Sequence, residues 1–335
     1  MKKTNNSVLS QYRGALMGIS IILIIVFHFT EDCHYYSYHF SGWISFFWRY
    51  ISSSSVDAFL FFSGLGLYYS MKKRSDVRSF YIRRLKRILI PYCIVAVPSY
   101  ILLDVCVDKT GWGEAIKDVI TFFSNGDRLY WYIGLMLLCY LIYPYIFQIV
   151  DSARDAIDGE IRLISMVSAI TVLALVIALY EKDMFGNVNI ALLRLPVFIA
   201  GCFYGRSSYE KRESYWKWLI LFALSGYLLT MLPSGSPIFA RYVTGIFNIS
   251  CCAGIAWIFS QLSMRPVIRI LEWFGAHSLE LYLVHVTIRK FMKGAAFHTC
   301  HLRYELVLVC SSIVIAWILQ ILVRYITDHL LKEKR

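Results

Sequence analysis

The chain has 335 residues, of which 58% are hydrophobic, 16% aromatic and only 17% charged, with a mean hydropathy of +0.56. Soluble domains are roughly 45–50% apolar and about a quarter charged, so a water-soluble globular enzyme is excluded and an integral membrane protein is indicated. The formal net charge of +12 is read by its placement between apolar runs, as topology, and not as a nucleic-acid surface.

The first membrane-length stretch is "RGALMGISIILIIVFHFTED". No short apolar core followed by small residues precedes it, so it is read as a retained span rather than a cleaved signal peptide. Apolar windows follow near 14–30, 55–71, 88–107, 129–150, 163–180, 190–205, 216–232, 241–261, 273–292 and 305–327. They predict an all-α, polytopic membrane protein of about ten transmembrane helices. An even number puts both termini on one side, and the larger share of the 34 basic residues falls in segments on that side, which makes it the cytoplasm. Between the first two windows, Ser41 to Ser55 is apolar and aromatic but too short to span, and is expected to be an interfacial or re-entrant piece on the outer side. No repeat, low-complexity tract or separate soluble domain interrupts the pattern, so 1–335 is read as one membrane domain.

Most of the nine cysteines fall in predicted spans, where a thiol behaves as a small apolar filler. Cys33 and Cys300 fall in outer loops and would be able to form one disulfide in an oxidising compartment. His34, His39, His298 and His301 share those loops, but their spacing matches no zinc pattern, and no metal is assigned.

Ionisable groups inside spans say more, since each costs about 2.5 kcal/mol or more to insert. His28, Asp57, Arg194, Glu280 and His285 lie in windows. Each alone reads equally as a polar packing contact between helices; together they read as a site. His28 has Glu31 and Asp32 three and four positions on, so either carboxylate would share its face and fix its tautomer. Asp57, from the next helix, is a second candidate orienter. A neutral imidazole so placed suits a general base that removes a proton from a hydroxyl. The loop "MKKRSDVRSFYIRRLKRILIPY" is more basic than orientation requires. It suits anionic lipid headgroups or, through Arg83, Arg84 and Arg87 beside Phe80 and Tyr81, the phosphates and base of a nucleotide-bearing thioester.

Six segments in order resemble the membrane acyltransferase-3 family, bacterial multi-pass proteins that move acyl groups onto cell-surface carbohydrates. Arg13 and His28 look like its Arg-then-His signature, at a wider spacing than the family's usual one; "VDAFLFFSGLGL" is similar to its Asp-x-Phe-Phe-x-x-Ser-Gly motif; and "FYIRRLKRILIPY" resembles its basic loop followed by Pro. "LYWYIGLMLLCYLIYP", "LLRLPVFIAG" and "HSLELYLVH" resemble three further elements, through Trp131, Tyr132 and Pro144, through Arg194 and Pro196, and through Ser278, Tyr282 and His285.

The resemblance implies a cytoplasmic acyl-CoA donor, acetyl-CoA by default, used as co-substrate with no permanently bound cofactor. It also implies a carbohydrate acceptor at the outer face of a bacterial cytoplasmic membrane. In that reading Arg84 and Arg87, assisted by Arg13 or Arg83, hold the donor phosphates. His28 acts as general base, oriented by Asp57 or Asp32, or takes the acyl group itself as a covalent relay. Arg194 stabilises the thioester oxyanion or pairs with Asp57 or Glu280. Trp131 and Tyr132 stack on a sugar or form part of the interfacial aromatic belt, while Tyr282 and His285 support the site from behind. Two other classes fit the buried charges: a proton-coupled transporter or flippase for a polysaccharide precursor, and a non-catalytic partner in its export. Neither accounts for an aromatic-flanked arginine loop, and no related halves are visible. The acceptor's identity and the oligomeric state are not encoded in any recognisable motif.

Overall fold

The computed structural model describes residues 7–36, 38, 41–52, 55–120, 122, 129–180, 190–210, 215–231, 237–262, 264–295, 297 and 300–330. His39, His298 and both termini lie outside the described residues. Among those described, every regular element is helical. The main helices are α1 (Arg13–Tyr35), α2 (Ser55–Lys73), α3 (Val77–Tyr100), α4 (Trp131–Asp151), α5 (Ala156–Tyr180), α6 (Leu195–Tyr209), α7 (Tyr215–Met231), α8 (Pro237–Gln261), α9 (Arg265–Ala276), α10 (Ser278–Gly294) and α11 (Leu302–Tyr325). Among the described residues, 6 helices are long and apolar enough to cross a membrane: Arg13–Tyr35, Val77–Val107, Trp131–Asp151, Ala156–Tyr180, Ile238–Gln261 and Leu302–His329. The chain is a multi-pass membrane protein.

The expected ninth crossing is not one helix. The chain breaks at His277, whose φ of −102° and ψ of 11° leave the helical region, and whose Nδ1 lies 2.8 Å from the carbonyl oxygen of Trp273. The piece between the first two crossings is a short helix, Gly42–Phe46, running into a wider turn, Phe47–Ile51. Asn248 of α8 ties it down by donating to the carbonyl of Tyr50 at 2.7 Å.

Helix α3 starts where Asp76 accepts a 2.8 Å hydrogen bond from the Ser79 amide, an N-cap that satisfies one otherwise orphaned donor. The same bonds from Ser79 hold the Asp76 carboxyl below the usual carboxylate range. Pro91 and Pro98 lie within α3, and past Tyr100 it widens into a π-helical stretch, Ile101–Val107.

Two seams hold the bundle by backbone contact. A Cβ on Gly18 of α1 would overlap the carbonyl of Leu271 in α9, and one on Gly275 would overlap that of Gly14. Likewise Gly64 of α2 faces the Phe198 carbonyl of α6, and Gly201 faces that of Phe61. Small residues at such crossings let helices approach to backbone distance, which gives packing where lipid supplies no hydrophobic drive. The core beside these seams is aromatic, with Tyr68, Phe61, Phe62, Phe80, Tyr143 and Phe198 fully buried. In contrast, α5 buries only Gly159 and Ala174 and exposes an apolar surface suited to lipid.

Candidate active site

A cavity of about 520 Å³ lies between α1, α2, α3, α4 and α10. Its mouth is basic: Arg13 from α1, Lys73 from the end of α2, and Arg84 and Arg87 from α3 line it, and among the described residues no acidic side chain does so. The guanidiniums of Arg13, Arg84 and Arg87 are close enough to repel one another. Helix periodicity accounts for the α3 pair. Arg84 and Arg87, three residues apart, share a face, while Arg83, grouped with them on sequence, does not line the cavity.

Local packing aims two of these cations. A Cβ on Gly66 would take the place of the Arg13 guanidinium, so the glycine in "SGLGL" leaves the room in which that group lies. Arg84 donates from Nη2 to Ser70 Oγ at 3.1 Å, lies 5.9 Å from the Phe80 ring centroid, and keeps Nε buried without a partner. An unpartnered buried donor on a cation is costly unless a ligand meets it.

Inward from the mouth the walls turn apolar and aromatic, with Ile21, Ile24, Phe59, Met136, Tyr132 and Tyr282. Tyr132 and Tyr282 meet edge to face at 5.5 Å, and the Tyr282 hydroxyl donates to the Leu129 carbonyl at 3.1 Å. Two helical rows run along this wall. On α1 the lining residues Met17, Ile21 and Ile24 are followed at the next position of the row by His28; on α10, Ser278 and Tyr282 are followed by His285. The rows converge, since the two imidazoles stack with centroids 5.3 Å apart and planes 8° from parallel. Nδ1 of His28 and both ring nitrogens of His285 are buried without hydrogen-bond partners.

Neither carboxylate expected to orient His28 meets its Nδ1. Asp32 is fully buried and accepts from Arg289 Nε at 2.9 Å, from Arg289 Nη2, and from Lys293 Nζ at 2.6 Å. Glu31 takes a further bond from Arg289 at 2.6 Å. Two cations on α10 outcompete a neutral imidazole on the same helix as the carboxylate, because charge-assisted bonds are roughly twice as strong. Asp57, also fully buried, accepts from Arg194 Nη1 at 2.5 Å; of the alternatives for Arg194, the partner is Asp57 and not Glu280. The Arg194 guanidinium also lies over the Trp131 ring, 5.5 Å from its centroid. Trp131 therefore belongs to this ion pair, and Tyr132 belongs to the cavity wall.

Lys73, Gly66, Arg241 and Arg289 were not singled out from sequence. Arg289 carried a usable signal: it lies four residues beyond His285, on the same face of α10. Cys33 and Cys300 are both free thiols, brought together so that Cys33 Sγ lies 3.8 Å from the Cys300 carbonyl oxygen. Among the described residues no group of three or more His, Cys, Asp or Glu side chains is placed to hold a metal.

No match was found among curated proteins or among solved structures. A family model described as an acyltransferase domain, of the acyltransferase-3 type, matches residues 15–321. That span takes in both histidines, the α3 arginines and both buried ion pairs, and leaves Arg13 just outside. With nearly the whole chain matched, and the basic cavity leading to the stacked histidines, the protein is an acyl-transferring membrane enzyme and belongs to the acyltransferase-3 family.

Proposed function

We propose that the protein is a membrane O-acyltransferase that takes an acyl group, acetyl by default, from acyl-CoA on the cytoplasmic side. The acceptor is a hydroxyl of a cell-surface or exported carbohydrate. The cavity is the observation that carries this reading: among the described residues it has four cationic side chains and no acidic one at its mouth, and two helical rows lead inward to a pair of imidazoles. Phosphates suit the mouth because guanidinium forks match them in shape and charge. The pantetheine arm suits the apolar interior.

His28 takes the proton from the acceptor hydroxyl as its oxygen attacks the thioester carbonyl. The C–S bond then breaks, and the thiolate recovers that proton from the imidazolium. The alternative order, in which a histidine nitrogen carries the acyl group between donor and acceptor, uses the same atoms. Both termini and the mouth face the cytoplasm of a bacterial cell in this reading, and the helices make about ten crossings with the shorter ones included.

The test is transfer of labelled acetyl from acetyl-CoA to surface glycan in membranes carrying the wild type or His28→Ala. The expected result is loss of transfer with the variant folded and still binding CoA. A variant that transfers normally overturns the role of His28. A wild type that does not bind CoA overturns the donor.

A further inference from the structure

The two helical rows that lead from the mouth to the histidines continue past them. On α1 the row of Ile24 and His28 runs on to Asp32, with Glu31 beside it; on α10 the row of Tyr282 and His285 runs on to Arg289. The cavity lining ends at Ile24 and Tyr282. The stacked imidazoles therefore stand between the donor chamber on one side and these ions on the other, each ion about one turn, ~5 Å, beyond its histidine. Among the described residues, Arg289 is also the charge felt most strongly at both imidazoles.

Arg289 joins the helices through two arms of unequal strength. Toward Asp32 it donates from Nε at 2.9 Å and from Nη2, and Asp32, whose side chain has no exposed surface, also holds Lys293 at 2.6 Å. Toward Glu31 it donates from Nη2 alone, at 2.6 Å, and the Glu31 side chain is 48% exposed. Exposed ion pairs contribute little to stability, whereas opening a buried one leaves a charge stranded away from water. The Asp32 arm is therefore fixed, and the Glu31 arm is the one that yields. Tyr35, four residues on from Glu31 and on its face of α1, is 73% exposed, so this arm is approached from outside the bundle. One turn inward of it lie ring nitrogens without partners, Nδ1 of His28 and both of His285.

Resting on the acyl-transfer reading, we infer that Glu31 and Arg289 form the binding site for the acceptor, and that they hold it by a hydroxyl of a sugar with a second hydroxyl close by. A hydroxyl suits the space between a carboxylate and a guanidinium, because it donates to Glu31 and accepts from Arg289 Nη2 at once. The direct bond is replaced and neither charge loses its partner. A phosphate or carboxylate in that place would be repelled by Glu31, and an ammonium by Arg289. The bound hydroxyl anchors the sugar on the outer side of the histidines, and its neighbour on the same ring reaches His28. Glu31 and Arg289 are binding residues here and take no part in the bond changes.

The experiment uses the full chain in nanodiscs, which leave both faces open, with labelled acetyl-CoA as donor. The acceptor probe is surface glycan from the cells that make the protein, stripped of its O-acetyl esters with mild base. Glu31→Gln should raise KM for the glycan by about tenfold, as for loss of one charge-assisted bond. Its kcat should stay within a factor of about two, its Kd for CoA should not change, and its thermal midpoint should lie within about 2 °C of the wild type.

An unchanged KM for the glycan overturns the inference. So does a fall in kcat at unchanged KM, which makes Glu31 a group that acts on the histidines through Arg289. A large drop in thermal midpoint overturns it as well, since the Glu31 arm is then a structural tie. A wild type that binds CoA and transfers no acetyl to the glycan counts against the acyl-transfer reading itself, and the inference falls with it. Any of the first three results with an active wild type overturns the inference alone.

Discussion

His28 and His285 lie face to face across the contact of α1 and α10, 5.3 Å between centroids and 8° from parallel. Imidazole hydrogen bonds form in the ring plane, so rings stacked this way do not bond to each other. Nδ1 of His28 and both nitrogens of His285 are left without hydrogen-bond partners, and under the proposed acyl transfer one ring would accept the acceptor's proton while the other donates to the thioester oxygen.

A substitution that keeps the ring and removes the nitrogens separates chemistry from packing. His285→Phe preserves the stack, and kcat should fall by about 10²-fold with KM for acyl-CoA little changed. Steady-state kinetics in proteoliposomes check this. Unchanged kcat would reduce His285 to a stacking surface.

The mouth arginines differ in what they touch, and their variants should differ accordingly. Arg84→Gln and Arg87→Gln should each raise the Kd for CoA by about tenfold, the effect of one charge-assisted contact. Arg83→Gln, outside the cavity lining, should leave it within a factor of about two. Isothermal titration with CoA reads the three side by side, and equal losses would mean that only general charge attraction matters.

Gly64 and Gly66 are two residues apart and should fail in different ways. A methyl at Gly66 meets the tip of the Arg13 side chain, which can move, so Gly66→Ala should fold and weaken donor binding. A methyl at Gly64 meets the Phe198 carbonyl and the Cys202 amide nitrogen of α6, which cannot move without parting the helices. Gly64→Ala should therefore lower the thermal midpoint, and thermal unfolding together with CoA titration distinguishes the two.

Removing Arg289 leaves Asp32 buried with its main partner gone. Arg289→Met should destabilise the protein by up to about 3 kcal/mol, the usual cost of breaking one side of a buried ion pair, with Lys293 holding the remainder. Adding Asp32→Asn should recover part of the loss. Denaturation midpoints of the single and double variants test this.

Two groups outside the spans give pH signatures. Hydrogen bonding holds the Asp76 carboxyl low, so its support for the start of α3 is present above the ordinary carboxylate range and is lost as pH falls through its lowered value. Amide exchange at Ser79 should accelerate only in that acidic window, and Asp76→Ala should show the faster exchange at neutral pH. Burial pushes the Cys300 thiol up, so its alkylation by iodoacetamide should reach full rate only above the normal thiol range.

Much of the helix pattern was legible in sequence because apolar run length is a local property. The break at His277 was not, since the polar residues of "FGAHSLELYL" read equally as polar positions within one span; the structure shows the turn, with His277 Nδ1 against the Trp273 carbonyl. Within the site, Arg84, Arg87 and His28 were legible because each stands out against its own neighbours. The partners of the acids were not. Whether Asp32 meets His28 or Arg289 depends on how α1 lies against α10, a contact between residues more than two hundred and fifty positions apart. Lys73 was hidden differently, as one lysine among many in a basic run, distinguished only by ending the helix that forms a cavity wall.

The glycine seams bear on how such an enzyme opens. With α1 joined to α9 and α2 to α6 through backbone contacts, two walls of the chamber belong to stiff pairs that cannot slide without losing their main cohesion. Tyrosine, isoleucine and methionine side chains form the walls on α3, α4 and α10, and these change rotamer at little cost. A ligand that entered from that side would displace side chains on α3, α4 and α10 while the frame that carries His28 kept its backbone contacts.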